Sequence, residues 1–191
     1  MQPRVTAVLL AAGGSRRMGR AKGLLSLGGD PILRLHVTAY TEMAGRIVVV
    51  LGHRVVEHQH ILPSTVDVVV NSRWESSWPA DSLRLAILEL GLQGPLWVSP
   101  VDTAPPARAT LAALVGHGES AVPVGPDGRR GHPVWLQAPE VEAVRACAPE
   151  GGLRTLLSGA VEVPVADPCV ALDFDTPAAW EKFRGLWRQR A

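Results

Sequence analysis

The sequence predicts an α/β fold, a mostly parallel central sheet with helices packed on both faces, and three observations predict it. Short runs of Val, Ile and Leu recur without polar alternation, as in strands buried on both sides. Helix-like stretches separate these runs, and alternating strand and helix gives an open sheet with right-handed crossovers. The chain has 191 residues, 47% of them apolar, which suits a single domain with a sizeable core.

In chain order, strands are predicted at 5–10, 46–51, 66–70, 96–99 and 121–124, each a Val-, Ile- or Leu-rich run. Helices are predicted at 31–43, 81–92 and 107–115. In the second of these, Leu83, Ile87 and Leu90 follow the three-to-four spacing of an apolar stripe. After Val124 the rhythm changes. Pro126-Asp127-Gly128 is a turn signal, then 131–136 reads as a short strand, 139–147 and 153–157 as helices, and 161–165 and 170–174 as late strands. Thr176 caps a last helix that opens on Pro177, where the missing N–H costs nothing. Trp180 and Trp187, at helical spacing, read as packing residues. No repeat, low-complexity tract or linker divides the chain, so residues 1–191 are expected to form one domain, with the acceptor-side elements at about 125–165.

Charge excludes some partners. Lys and Arg number 19 and Asp and Glu 18, a net charge of +1, so neither nucleic acid nor an anionic membrane is expected to bind. Cys147 and Cys169 have neither metal-ligand nor CxxC spacing and fit a reducing cytosol. Residues 1–12 imitate a secretion signal, but the apolar run is short and a glycine and basic cluster follows it. No run approaches the roughly 20 apolar residues of a membrane span. A cytoplasmic location is expected.

Three segments carry chemistry. In the first, Leu10-Ala11-Ala12-Gly13-Gly14-Ser15-Arg16-Arg17-Met18-Gly19-Arg20-Ala21-Lys22, a buried strand runs into a loop of glycines and cations. Glycines let backbone N–H groups encircle an anion, and the basic side chains neutralise phosphate. The spacing fits neither the GxxxxGK[ST] loop nor the GxGxxG fingerprint. The second places Asp102 just past the 96–99 strand, at the sheet edge where ligands of such folds bind. An isolated Asp there serves as a cap or turn residue. Beside a phosphate loop it becomes a candidate ligand for Mg²⁺, which favours one or two carboxylates plus phosphate oxygens and waters. In the third, Asp173 and Asp175 alternate and so share a face, with helix capping the other role open to them.

The first segment, LAAGGSRRMGRAK, resembles the LAAGxSxRMGxxK signature of the MobA-like NTP transferases, nearest their molybdenum cofactor cytidylyltransferase (MocA-like) branch. Asp102-Thr103-Ala104-Pro105 resembles that family's D-x-x-P stretch, and Val170 to Pro177 its D-[IV]-D-T-P-E-D. Asn71 to Leu83 resembles N-P-x-W-x-x-G-M-x-x-S-L, with Trp78-Pro79 where the family prefers Gly-Met. Gly131-His132-Pro133-Val134 matches G-H-P-[VI], and Gly151 to Arg154 is similar to a G-x-x-x-R stretch. The resemblance spans residues 9–177 in consistent order.

The resemblance implies a Rossmann-like fold of nucleotide-diphospho-sugar transferase type and Mg²⁺-dependent transfer of NMP from an NTP to a phosphorylated small-molecule acceptor, with pyrophosphate released. The backbone of Leu10, Ala11, Ala12, Gly13 and Gly14 would hold the base and ribose side, with Ser15, Asn71 and Ser82 nearby. Arg17 and Lys22 would grip the triphosphate, Asp102 and the favoured Asp173 would hold Mg²⁺, and His132 would meet the acceptor. Lys22 is expected to be an exposed loop residue whose loss leaves the fold intact. The branch implies molybdopterin as acceptor and a molybdoenzyme as partner, and the Ala11-Ala12 pair leans towards CTP over GTP. Sugar or polyol phosphates are alternative acceptors. The rival of another class is a chaperone that binds a nucleotide or cofactor without turnover.

Overall fold

The structure, a computed structural model, describes residues 5–149 and 152–189. Its elements run β1 (Thr6–Ala11), a 3₁₀ turn (Lys22–Leu24), β2 (Ser26–Leu27), β3 (Asp30–Pro31), α1 (Ile32–Thr41), β4 (Arg46–Leu51), α2 (Val55–Ile61) and β5 (Asp67–Val70). A second 3₁₀ turn (Trp74–Ser76), α3 (Pro79–Leu90), β6 (Leu96–Pro100), α4 (Arg108–Val115), β7 (Ala121–Val124) and β8 (Val134–Leu136) follow. The last elements are α5 (Ala138–Ala146), α6 (Leu153–Leu156), β9 (Val161–Pro164) and α7 (Pro177–Gln189).

Seven strands form one sheet in the order β5-β4-β1-β6-β8-β7-β9. All run parallel except β8, which is antiparallel to both β6 and β7. The alternating β and α pattern of the sequence is therefore realised as expected. Successive strand residues feed opposite layers, because side chains alternate across a strand. On β1, Ala7, Leu9 and Ala11 enter one core and Val8 and Leu10 the other. The first core is closed by α1, α4 and α7 through Leu33, Leu111 and Phe183. The second is closed by α3 and α5 through Leu83, Ile87 and Val144. Burying each such side chain stabilises the fold by about 1.5–3 kcal/mol. Between β1 and its two neighbours the chain reverses direction across the sheet: β4 lies on one side and β6 on the other. That switch opens a crevice beyond the carboxyl ends of β1 and β6, where the glycine loop and Asp102 lie.

Two local features depart from the sequence reading. Helix α2 had no sequence signal, since it enters from Arg54 in a left-handed conformation (φ 54°) with no side-chain cap. Residues 170–174 form no strand. A turn from Cys169 to Leu172 interrupts the segment, and its one bridge joins Asp173 to Thr103. What fixes it is Phe174, which is fully buried against Trp180 and Phe183 at ring distances of 4.8 and 4.9 Å. The helix that follows starts as expected, with the Thr176 hydroxyl accepting from Ala179 N–H at 3.2 Å. Residues 1–4 and Gly151, which carry parts of the signal-like start and of the G-x-x-x-R stretch, lie outside the described residues. Among the described residues no helix is long and apolar enough to cross a membrane.

Candidate active site

The glycine loop leaves β1 at a turn built around Ser15, which takes a positive φ of 50°. Its carbonyl accepts from the N–H groups of Met18 and Gly19 at 3.0 Å, and its hydroxyl accepts from Lys22 N–H at 3.1 Å. A left-handed non-glycine residue costs of order 1 kcal/mol and is tolerated where surrounding contacts hold it. Gly14 is dictated by a neighbour, because a Cβ there would lie 2.5 Å from the Trp74 ring. Gly13 and Arg17 are exposed, whereas Ala11 and Ala12 are buried, one in each core layer. Any ligand contact from those two alanines is therefore made by backbone.

Asn71 and Ser82 do come together. The Asn71 amide donates to Ser77 Oγ at 2.8 Å and Ser82 Oγ at 3.0 Å, while its carbonyl oxygen accepts from Arg73 N–H at 3.0 Å. Both residues are buried. Their polar groups brace the segment that carries Trp74 and Trp78 along the crevice.

The centre of the site is Lys22. It is buried, not exposed, at 9% relative accessibility. The short 3₁₀ turn points it across the crevice, where its ammonium donates to Asp102 Oδ2 at 2.7 Å and to Asp175 Oδ1. Arg17 reaches the other Asp175 oxygen at 2.7 Å. Burial pulls the Lys22 ammonium down, but the two carboxylates outweigh it and hold the group above its ordinary pKa. Burial likewise pushes Asp175 up, and Lys22 with Arg17 overcomes that, leaving its carboxyl below the usual range. One anionic pair thus surrounds one cation at the end of β6.

The second carboxylate of that pair is Asp175. Asp173, favoured from sequence, is exposed, and its backbone bridges Thr103. Phe174 N–H donates to Asp102 O at 3.0 Å, so this segment docks on the loop after β6 and delivers its next residue to Lys22. Among the described residues there is no cluster of three or more His, Cys, Asp or Glu able to hold a metal. The Asp102 and Asp175 carboxylates, each about a third exposed, are oxygen donors of the kind a hard divalent cation takes.

His132 lies on the other side of Asp102. Its N–H donates to Val170 O at 2.9 Å, and Gly131 lets the chains approach, since a Cβ there would fall 2.1 Å from that oxygen. Burial drives the His132 pKa down to about 4 against the opposing pull of Asp102. The imidazole is therefore neutral at pH 7, with Nδ1 buried and unpartnered. It forms part of a cleft of about 820 Å³ that also takes in Leu10, Trp78, Pro100, Val134 and Arg154. Val134 belongs to the G-H-P-[VI] match and Asp81 to the Asn71–Leu83 match, but sequence reasoning named neither, nor Pro100, as a site residue.

A family model described as the MobA-like NTP transferase domain matches residues 7–165. The chain belongs to that family. Its fold is shared with solved structures. Rv0371c from Mycobacterium tuberculosis H37Rv is 24% identical, covers 97% of this chain and 100% of its own, and superposes with a TM-score of 0.83. The same protein has been solved in complex with manganese, at 23% identity, with 96% and 99% covered and a TM-score of 0.79. Its homologue from Mycobacterium sp. strain JC1 is 26% identical, with 97% and 98% covered and a TM-score of 0.81. Mth528, a nucleotidyl transferase from Methanothermobacter thermautotroptrophicus, is 22% identical, with 98% and 99% covered and a TM-score of 0.82. At these identities the likeness is one of fold. No curated protein matches the sequence at a significant level.

Proposed function

We propose that this MobA-like NTP transferase catalyses Mg²⁺-dependent transfer of NMP from an NTP to a phosphorylated small-molecule acceptor in the cytoplasm, releasing pyrophosphate. CTP is the favoured nucleotide over GTP, and molybdopterin the favoured acceptor, which would make a molybdoenzyme the downstream partner. The observation that carries this reading is the convergence of Lys22, Arg17, Asp102 and Asp175 on one point beside the glycine loop.

Asp102 and Asp175 would hold the metal, and the residues present fit it. Their carboxylates are 30% and 32% exposed and already gather around a cation. When bound, Mg²⁺ would neutralise charge on the triphosphate and on the departing pyrophosphate. The chain's own residues do the rest. The Arg17 guanidinium, exposed beside the glycine loop, receives the phosphates. Lys22, drawn off the carboxylates, turns its ammonium to the same oxygens. The attacking oxygen belongs to the acceptor phosphate, so no protein nucleophile is needed and positioning with charge neutralisation carries the rate. His132, neutral and lining the cleft, is a candidate hydrogen-bonding group for the acceptor.

Pyrophosphate release measured with each of four NTPs and a panel of phosphorylated acceptors tests the proposal. Release that requires Mg²⁺ and a phosphorylated acceptor is expected. Tight nucleotide binding without release, for every acceptor including sugar and polyol phosphates, would favour the chaperone.

A further inference from the structure

A second cavity, of about 510 Å³, shares no lining residue with the cleft around His132. Arg17, Lys22, Asp102 and Asp175 do not line it either. Three pieces of chain build it. The glycine loop contributes Met18 and Arg20, the β2–β3 hairpin its Gly28-Gly29 turn, and α7 the residues Trp180, Arg184 and Arg188. The hairpin is held by its turn, where φ values of 68° and 105° suit the two glycines. Ile32 N–H also donates to Leu25 O at 2.9 Å. Aromatic packing holds the α7 side: Trp180 lies 4.8 Å from Phe174 and Trp187 5.9 Å from Phe183, between ring centres. A cavity of this size between fixed walls suits one small molecule.

Its lining joins two chemistries. Met18, Leu25, Leu27 and Trp180 are buried and apolar, with half-buried Trp187 beside them. Against them stand three arginines and one acid, Glu181. Arg184 takes that acid at 2.9 Å. Arg20 and Arg188 are exposed and make no ion pair among the described residues. Two guanidiniums are therefore left uncompensated at one cavity, in a chain whose net charge is only +1. Both stay charged at any physiological pH, and each presents a fork of N–H donors matched to phosphate or carboxylate oxygens. A dianion neutralises both, and an apolar body covers the indoles.

We infer that this cavity is a regulatory site for a small organic dianion with an apolar body, its head held by Arg20 and Arg188 and its body lying on Trp180 and Trp187. The chain connects it to the crevice. Met18 and Arg20 fall between Arg17 and Lys22, and Pro177 closely follows Asp175. Both segments that carry charge into the crevice thus also line this cavity. A ligand that fixes them here changes nucleotide affinity there, and the coupling is reciprocal. The coupling rests on the transferase reading; the binding site itself does not.

The test is calorimetric titration of the full chain at about pH 8, where a phosphate ester carries two charges. Phenyl phosphate and phthalate are the dianionic probes, and the tighter of the two identifies the head group. Inorganic phosphate lacks the body and benzyl alcohol the charge, so both should bind about tenfold more weakly, or worse. The double variant Arg20→Gln, Arg188→Gln should weaken the tighter probe about tenfold or more, whereas Arg154→Gln, in the other cleft, should leave it unchanged. α,β-Methylene-CTP with Mg²⁺ should shift the probe's affinity about fivefold without competing for its site. Thermal melts verify folding, which loss of exposed, unpaired side chains should hardly change. No binding of either probe, inorganic phosphate bound as tightly, binding that survives loss of both arginines, or binding lost in Arg154→Gln would each overturn the site. Probe affinity unchanged while the nucleotide analogue is bound would overturn the regulation. A chain that binds the probe through the two arginines, yet binds no nucleotide and releases no pyrophosphate, would remove the transferase and its coupling and keep the site.

Discussion

Replacing Lys22 with methionine keeps most of the side chain's volume and removes its charge. In the wild type that charge sits 2.7 Å from Asp102 and also bonds Asp175, with 10% of the Lys22 side chain exposed. Breaking a fully buried pair costs about 3–5 kcal/mol, and an exposed pair contributes about 0–1 kcal/mol. The two carboxylates are each about a third exposed, and Arg17 continues to compensate Asp175. A net loss of about 2 kcal/mol at pH 7 follows as an intermediate value. For a domain of this size that lowers Tm by roughly 4–8 °C. The protein stays folded, since domains typically have about 5–15 kcal/mol in hand.

The loss also has a defined pH dependence. Asp175 is held below its ordinary pKa in the folded protein, so its contribution is present above the ordinary carboxylate value and is lost as pH falls through the native one. Lys22 is held above its ordinary value, so its contribution is present below that value and fades as pH rises through the native one. The Tm gap between wild type and Lys22→Met should therefore be widest at neutral pH and close towards pH 3. In addition, Mg²⁺ should raise the Tm of Lys22→Met more than that of wild type, because no ammonium competes for the carboxylates and binding to the native state stabilises it. Scanning calorimetry from pH 3 to 9, with and without Mg²⁺, measures all of this. An unchanged Tm at pH 7, or a gap that does not vary with pH, would refute the reasoning.

Asp175→Asn should lower the transfer rate at least 100-fold, whereas Asp173→Asn should stay within a few fold of wild type; steady-state pyrophosphate release compares them. His132 has its pKa lowered from 6.5 to about 4, so the unfolded chain takes up this proton first as pH falls. The folded state should lose roughly 3 kcal/mol from this group between pH 6.5 and 4 at about 1.4 kcal/mol per pH unit. His132→Gln should flatten that part of the stability profile in urea titrations.

Much of the fold was legible because its strands are buried on both faces and leave unbroken apolar runs. The 46–51 and 121–124 strands coincide with β4 and β7 for that reason. Thr176 and Pro177 marked the start of α7 through capping chemistry that acts within a few residues. Helix α2 was missed because its sequence, with two histidines and Val56 61% exposed, shows no apolar stripe. In the site, the glycine loop and Asp102 were readable as a strand running into chemistry. The choice between Asp173 and Asp175 was not. Alternation puts both carboxylates on one face, and it is the burial of Phe174 with its bond to Asp102 that decides which of them meets Lys22. The buried state of Lys22 was equally hidden, since it depends on two carboxylates 80 and 153 residues away.

The most direct test pairs catalysis with binding in one variant. Pyrophosphate release in excess Mg²⁺ and calorimetric nucleotide affinity are measured for wild type and Asp102→Asn. If Asp102 supports charge on the departing pyrophosphate, the rate should fall by about 10²–10³-fold, while the backbone contacts of the glycine loop keep nucleotide affinity within about fivefold. Equal rates in the two proteins would contradict the carboxylate pair at the centre of this account.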